Sequence, residues 1–226
     1  ALVMDFGSGL SREEVIDRAG RLRDRVSALG GDSVEILAVT KGFGSEVMKL
    51  AYECGFRNVG ESYAQELTAK WSDLTQEERD SIKVHFIGKM QTNKVRKVAT
   101  IVQVWQTVDR LSLVQELSKR CPGSSVMIQI NLAQSDSQGG CSISEASGLI
   151  EMSLSAGLNV EGLMAIGPQG DEKIIRAAYK KLVALADEWE LERRSIGMSS
   201  DLNIAIECGS TMVRIGTALF GDRPMR

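Results

Sequence analysis

The sequence predicts an α/β fold, a single (β/α)8 barrel of the TIM type with an extra N-terminal helix. Three observations support this prediction. Short apolar and β-branched segments alternate with amphipathic helical segments, which favours parallel β/α units. Eight strand-like segments can be read in the 226 residues, a usual length for a closed barrel. No linker or low-complexity segment interrupts the pattern, so residues 1–226 are expected to form one domain.

The first predicted helix precedes the first strand. Ser11 and Glu14 form a capping box. Apolar residues follow at alternating spacings of four and three from Val15 to Leu29. The first predicted strand is Val34–Lys41, with the sequence VEILAVTK. An apolar run of this kind is typical of a strand that is buried on both faces of a parallel sheet.

The remaining elements repeat this unit. The further predicted strands are Asn58–Gly60, Lys83–Gly88, Val104–Val108, Ser125–Leu132, Val160–Ile166, Arg194–Met198 and Met212–Thr217. The predicted helices are Ser45–Cys54, Tyr63–Trp71, Thr92–Ala99, Asp109–Cys121, Ser144–Ala156, Glu172–Leu191 and Asp201–Cys208. In a barrel of parallel strands the functional site is expected where the strands end, on the C-terminal face.

Composition argues against several classes of function. The formal net charge is −3, and acidic and basic residues are interspersed, so no basic face for nucleic acid is indicated. The four cysteines lie far apart, and with one histidine they make a zinc cluster or a disulfide framework improbable. No apolar run reaches membrane-spanning length. We expect a cytoplasmic protein without metal, nucleic-acid or membrane partners.

Lys41 is the first candidate functional residue. It ends the first predicted strand, just before a glycine-rich turn. Burial at the mouth of the barrel would lower the pKa of its amine and make it nucleophilic. The alternative is a strand-terminal lysine whose amine simply reaches solvent.

The predicted turns after the seventh and eighth strands carry hydroxyl groups. They contain Ser199, and Gly216 followed by Thr217. Hydroxyl and free backbone N–H groups at the starts of helices suit a phosphate monoester. Together with Lys41 on the same face, they suggest a phosphate ester with an aldehyde group, held as a Schiff base.

Two ligands agree with this pattern, a sugar phosphate and pyridoxal 5′-phosphate (PLP). Aldolase chemistry on a sugar phosphate would need a carboxylate and usually a second lysine near Lys41. Glu61 at the end of the second strand offers a carboxylate, but no second lysine stands at a strand end. Arg214 favours PLP, since a guanidinium can donate to a pyridine nitrogen.

Motifs along nearly the whole chain resemble the YggS/PROSC-type pyridoxal phosphate homeostasis proteins. They are AVTK (38–41), GESYAQE (60–66), HFIG (85–88) with QTNK (91–94), GLMAI (162–166), GMSSD (197–201) and GSTMVRIGTALFG (209–221). The resemblance implies the fold of the alanine racemase N-terminal barrel without that enzyme's second domain. It also implies that Lys41 forms the Schiff base, that Ser199, Gly216 and Thr217 bind phosphate, and that Arg214 faces the pyridine nitrogen.

Other residues have two interpretations each. Met198 and Asn131 either touch the pyridine ring or fill the barrel mouth. Glu61 either lines the cofactor face or is a dipole partner at the start of a helix. His85 is interpreted as a strand histidine with satisfied hydrogen bonds rather than a base. Gln138 stands where the family usually has a lysine, which either removes an amine from cofactor exchange or changes only a solvated loop.

The resemblance implies a non-catalytic role in buffering or delivering PLP to apo-enzymes. Arg214 also favours a non-catalytic role, because PLP enzymes that stabilise a carbanion usually pair the ring nitrogen with an acid. In alanine racemase the second base is a tyrosine from the domain that is missing here. The alternative is a racemase or lyase with low activity. We expect a monomer.

Overall fold

The structure is a computed structural model that describes residues 9–224. Eight parallel strands form a closed barrel in chain order, and β8 pairs back with β1. The strands are β1 Glu35–Val39, β2 Asn58–Glu61, β3 Lys83–Phe86, β4 Val104–Val108, β5 Ser125–Ile130, β6 Asn159–Ala165, β7 Arg193–Ser195 and β8 Met212–Ile215. The predicted (β/α)8 barrel is confirmed.

Helices surround the barrel. They are α1 Arg12–Ala28, α2 Ser45–Glu53, α3 Ala64–Ser72, α4 Gln76–Ser81, α5 Thr92–Val98, α6 Leu111–Arg120, α7 Ile143–Ser155, α8 Glu172–Glu188, α9 Leu202–Glu207 and α10 Thr217–Phe220. Among residues 9–224, no helix combines the length and apolar character needed to cross a membrane. Helix α4 was not predicted, although its capping box of Thr75 and Glu78 is visible in the sequence.

The predicted N-terminal helix is confirmed, and α1 closes the outer layer of the barrel. Ser11 and Glu14 form the expected capping box. Arg12 pairs with Glu53 of α2, and Arg25 donates to the side chain of Asn203 in α9. Helix α1 therefore packs between the first and the last units, where the short α10 leaves room.

Several strands end earlier than predicted on the C-terminal face. Strand β1 ends at Val39, and Thr40 still donates its N–H to Gly60. Gly42 then adopts a φ of 82°, which turns the chain out of the sheet. Lys41 thus lies in the turn after β1 rather than in the strand, but still at the predicted face.

The apolar core is mainly between the barrel and its helices. Inside the barrel, Val104, Met127 and Met164 form a small separate apolar cluster. Much of the remaining interior is polar, because Gln106, Ser195 and His85 are buried and hydrogen-bonded across the barrel. An interior of this kind is unusual for a fold whose barrel is normally filled by apolar side chains.

Candidate functional site

A cavity of about 290 Å³ opens at the C-terminal face of the barrel. Its lining residues are Val39, Lys41, Ile87, Met164, Ile166, Met198, Ser199, Ser200, Arg214, Gly216, Thr217 and Arg223. Six predicted site residues are in this set, namely Lys41, Met198, Ser199, Arg214, Gly216 and Thr217. The lining lacks the other two, Glu61 and Asn131. The volume is near the lower end of the range for small-ligand sites.

The amine of Lys41 has a lowered pKa. The main cause is burial, and the positive charges of Arg223 and Arg214 act in the same direction. Glu61 opposes the shift. A larger share of the amine is therefore neutral near pH 7 than for an exposed lysine, and the neutral amine is the nucleophilic form.

A buried charge cluster holds the turn that carries Lys41. The ammonium of Lys70 donates to Glu61 Oε1 at 2.7 Å and to the Thr40 carbonyl at 2.8 Å, and it pairs with Glu66 Oε1 at 2.7 Å. The Thr40 hydroxyl donates to Glu61 Oε1, and the Gly42 N–H donates to Glu66 Oε1. Both chain neighbours of Lys41 are therefore anchored to this cluster.

Glu61 itself lies below the cavity and not in its wall. It is fully buried, and its carboxylate is engaged by Lys70 and Thr40. That Glu61 lines the cofactor face stays a prediction, and its contacts indicate a further role. Glu61 positions the turn and adds a negative charge within electrostatic range of Lys41.

One end of the cavity can bind an anion. Within the described residues, the hydroxyl groups of Ser199, Ser200 and Thr217 make no hydrogen bond, so they are available to a ligand. Asp201 shapes the turn that carries Ser199 and Ser200, which we call the serine turn, because Asp201 Oδ1 accepts the Met198 N–H at 2.7 Å. Such a set of free donors is the arrangement expected for a phosphate group.

Tyr179 in turn holds Asp201, since its hydroxyl donates to Asp201 Oδ2 at 2.5 Å. Gly167 allows this contact. A Cβ at Gly167 would lie 2.6 Å from Asp201 Oδ2 and 2.7 Å from the Tyr179 hydroxyl oxygen. The serine turn is therefore fixed from below before any ligand arrives.

Arg223 is a site residue that the sequence analysis missed. It lines the cavity beside the serine turn and lowers the pKa of Lys41 by its charge. Its side chain crosses the turn at Gly42, where a Cβ would lie 2.7 Å from Arg223 Cδ. The signal for it in the sequence was a cation shortly after the predicted phosphate turn at Gly216 and Thr217.

Arg214 lies at the inner end of the cavity with 5% of its surface exposed. Nη1 donates to the Ser195 carbonyl at 2.6 Å and to the Ser195 hydroxyl at 2.9 Å. Nη2 donates to the Ala165 carbonyl at 2.9 Å. Burial lowers the pKa of this guanidinium, but an arginine remains a donor in any protein. The site therefore presents a rigid donor at this end.

Asn131 lies in the loop after β5. Its amide donates to the carbonyls of Ser135 at 2.7 Å and Gln138 at 3.1 Å. These bonds fold the loop on itself, and Asn131 is not among the residues that line the cavity. Its contact with the pyridine ring stays a prediction. Gln138 is half-buried and is not among the residues that line the Lys41 cavity.

The interpretation of His85 as a satisfied strand histidine agrees with its surroundings. Its Nε2 is 3.0 Å from Asn58 Oδ1, and its Nδ1 is 2.8 Å from Gln106 Nε2. Burial lowers the pKa of His85 to about 3, so the ring is neutral at physiological pH. Among residues 9–224, no group of three or more His, Cys, Asp or Glu side chains is placed to hold a metal.

A larger cleft of about 980 Å³ adjoins the cavity on the side of β2 and β3 and shares Lys41 and Ile87 with it. Lys89 and Lys94 stand in its wall. The loop that forms this wall is braced by Arg110, which donates to the Met90 carbonyl at 2.5 Å. Lys41 can therefore be reached from outside through this cleft.

Fold and site together define a class of protein, a (β/α)8 barrel in which a lysine with a lowered pKa and three free hydroxyl groups line one cavity. The family described as "Alanine racemase, N-terminal domain" matches residues 17–224. A relative from Pseudomonas aeruginosa named "Pyridoxal phosphate homeostasis protein" is 36% identical over 221 residues, covering 93% of this chain and 95% of the relative. The chain belongs to the alanine racemase N-terminal domain family and, within it, to the pyridoxal phosphate homeostasis proteins.

Solved structures agree with this assignment. PipY of Synechococcus elongatus PCC7942, in a structure with PLP bound, has a TM-score of 0.81 and 28% identity, covering 92% of this chain and all of that chain. Alanine racemase from Corynebacterium glutamicum has a TM-score of 0.72 and 16% identity, covering 95% of this chain and 62% of that chain. The second likeness concerns the fold alone. The resemblance predicted from the sequence motifs is confirmed.

Proposed function

We propose that this chain binds PLP as a reversible Schiff base on Lys41 and serves PLP homeostasis by buffering and delivering the cofactor. One observation carries the proposal. The amine with the lowered pKa faces the same cavity as three free hydroxyl groups and a buried arginine. The name of the Pseudomonas relative and the PLP-bound PipY structure support the same ligand.

The residues present suit PLP. When bound, PLP supplies an aldehyde that condenses with an amine and a ring that withdraws electrons. Ser199, Ser200 and Thr217 would hold its phosphate with Arg223 beside them. Arg214 would donate to the pyridine nitrogen, and Lys41 would bond to the aldehyde carbon. The apolar side chains in the wall, such as Met198, would cover the ring.

The lining of the cavity supports a carrier rather than an enzyme. Apart from Lys41, none of its described lining residues is a carboxylate, histidine, tyrosine or second lysine. A two-base racemase would need such a group opposite the lysine. Arg214 cannot give the pyridine nitrogen a proton and keep it charged, which disfavours carbanion chemistry. The alternative, a weak racemase or lyase, would therefore need a base from outside this cavity.

The wider setting of the proposal follows from the same features. We propose that residues 1–226 work as one domain and as a monomer. The four cysteines are unpaired, as expected in the reducing cytoplasm, where apo-enzymes would receive the cofactor. The cleft beside Lys41 is the route by which an amine from outside could reach the bound aldehyde.

Borohydride reduction tests the proposal. The protein mixed with PLP should become yellow, lose that absorbance on reduction and carry one cofactor on Lys41 by peptide mass spectrometry. Lys41→Ala should carry no reducible adduct, whereas the matched control Lys89→Ala, in the adjoining cleft, should behave as the wild type. A full-stoichiometry adduct on Lys41→Ala would overturn the assignment. Turnover of a panel of amino acids by the loaded protein would favour the enzyme instead.

A further inference from the structure

A continuous file of polar side chains crosses the barrel interior. We call it the polar chain and define it as Arg214, Ser195, Gln106, His85, Asn58 and Glu35, each hydrogen-bonded to the next. The five successive distances are 2.9, 2.7, 2.8, 3.0 and 3.1 Å. The polar chain begins at the ligand cavity and ends at the opposite face of the barrel, where Glu35 pairs with Arg193.

The middle of the polar chain is not explained by direct contact with a ligand. Ser195, Gln106 and His85 are at most 2% exposed, and none of them lines the cavity. Buried polar side chains cost free energy unless every group is hydrogen-bonded. Apolar side chains would fill the same space without that requirement. Their presence therefore calls for a role in the site.

The two ends of the polar chain fix the direction of every hydrogen bond in it. Arginine can only donate and a carboxylate can only accept. The Ser195 hydroxyl accepts from Arg214, so its single hydrogen goes to Gln106 Oε1. Gln106 Nε2 then donates to His85 Nδ1, and His85 carries its hydrogen on Nε2 and donates to Asn58 Oδ1. The Asn58 amide finally donates to Glu35.

The reverse arrangement fails at the last link. If His85 carried its hydrogen on Nδ1, Gln106 would turn its oxygen to the ring and Asn58 would turn its amide to His85 Nε2. The Asn58 oxygen would then take the place of Asn58 Nδ2, which now donates to Glu35 Oε2 at 3.1 Å. Two acceptors at that distance repel each other. A single arrangement thus satisfies all six side chains.

We propose that the polar chain positions Arg214 for the ligand. Gln106 and His85 act as positioning residues, and the chain links the ligand cavity to the Glu35–Arg193 pair on the opposite face. Because the bonds all run one way, a change in what Arg214 binds alters the polarisation of each following bond. The His85 ring should therefore respond to a ligand that it never touches. This inference rests on the proposed binding of PLP.

The protein has a single histidine, His85, so the ring nitrogens of His85 can be observed without ambiguity. Long-range ¹H–¹⁵N NMR of protein labelled with ¹⁵N-histidine measures the tautomer directly. Without PLP, we expect a neutral ring with its hydrogen on Nε2 from pH 5 to pH 8. A hydrogen on Nδ1, or a charged ring, would overturn the inference. This first measurement does not involve PLP, so its result is independent of the proposed function.

Adding PLP then tests the link to the cavity. Absorbance reports whether PLP binds, and if it does not, the proposed function fails while the tautomer result stands. If PLP binds, both ring nitrogen shifts of His85 should move. Unchanged shifts at full loading would overturn the proposed link.

Variants separate positioning from general stability. Gln106→Leu should weaken PLP binding about tenfold, the loss expected for a hydrogen bond in a charged network, and should abolish the PLP-induced shift of His85. The matched control is Gln129→Leu, also a buried glutamine, whose amide instead donates to the Gly139 carbonyl. Equal effects of Gln106→Leu and Gln129→Leu on PLP affinity and on the His85 shift would overturn the proposal.

Discussion

Lys70 offers a sharp test of how the turn at Lys41 is held. Its ammonium has three hydrogens and three acceptors, Glu61, Glu66 and the Thr40 carbonyl, at 2.7–2.8 Å. The side chains of Lys70 and Glu61 are 3% and 0% exposed. In Lys70→Met the helix propensity and the volume change little, but the buried carboxylate of Glu61 loses its counter-charge.

Removing one member of a buried ion pair costs about 3–5 kcal/mol, because the remaining charge is left without compensation. A loss of that size is a large part of the stability of an ordinary domain, about 5–15 kcal/mol. For a chain of this size it corresponds to a Tm lower by roughly 6–20 °C. The same change removes the hydrogen bond to the Thr40 carbonyl and the counter-charge of Glu66, which accepts from the Gly42 N–H. PLP binding at Lys41 should therefore also weaken.

The loss of stability in Lys70→Met should depend on pH in a known direction. Burial raises the pKa of Glu61, and Lys70 opposes that shift. In Lys70→Met the positive charge that lowers the pKa of Glu61 is absent, so the folded-state pKa of Glu61 rises further above its unfolded value of about 4.3. A group with a raised folded pKa contributes stability below its unfolded pKa and loses it as the pH rises through the folded value. The variant should therefore be more destabilised at pH 8 than at pH 5.

Urea denaturation of the wild type and Lys70→Met at both pH values measures this difference. Glu61→Gln/Lys70→Met is the matched control, since it removes the buried charge and should recover stability and lose the extra pH dependence. Asp17→Ala, which breaks an exposed pair with Arg21, should change little. The reasoning is refuted if Lys70→Met loses less than about 1 kcal/mol at pH 8, or loses the same amount at both pH values.

If the free hydroxyl groups bind phosphate, Ser199→Ala and Thr217→Ala should each weaken PLP binding by about tenfold or more. Binding of pyridoxal, which lacks the phosphate, should change little. Equal losses for both ligands in absorbance titrations would contradict this prediction. Arg223→Gln should weaken PLP binding and also raise the pKa of Lys41, because a charge that disfavours the ammonium is removed. The rate of PLP uptake in stopped flow should then need a higher pH, and an unchanged pH profile would count against Arg223. Gln138→Lys should leave the rate of PLP transfer to an apo-enzyme unchanged, since residue 138 lies outside the cavity wall; faster transfer would show that the loop reaches the site.

The sequence was sufficient for the barrel because periodicity is a property of each segment. Alternating apolar strands and amphipathic helices leave few ways to bury all the apolar faces, and the closed parallel barrel is one of them. The predicted strand ends were less accurate, as at Lys41, because the last hydrogen bonds between neighbouring strands depend on where their loops diverge. Helix α4 was missed because it is short and mostly exposed, with no buried residue to produce a periodic pattern.

The residues that line the cavity were predictable where a residue type and its place on the C-terminal face were enough, as for Lys41, Thr217 and Arg214. Glu61 and Asn131 share that face, but hydrogen bonds that the sequence pattern does not reveal set the direction of their side chains. Glu61 is held by Lys70 of the following helix, and Asn131 by Ser135 in its own loop. Arg223 follows the last predicted element. Its approach to Lys41 depends on a glycine at position 42 that lets the arginine stem pass.

The two lysines near the mouth of the barrel explain how the site keeps an amine reactive. Lys70 is almost completely buried, yet three acceptors surround its ammonium, so its positive charge is stabilised. Lys41 is less buried, but its nearest charged neighbours in the cavity are two arginines, which disfavour a further positive charge. Arg223, beside the hydroxyl groups, would attract the phosphate dianion of the proposed ligand, and this dianion would then offset the repulsion of the Lys41 ammonium. Without a ligand the site therefore favours the neutral, nucleophilic amine, and in the proposed function phosphate binding would bring the aldehyde of PLP to that amine.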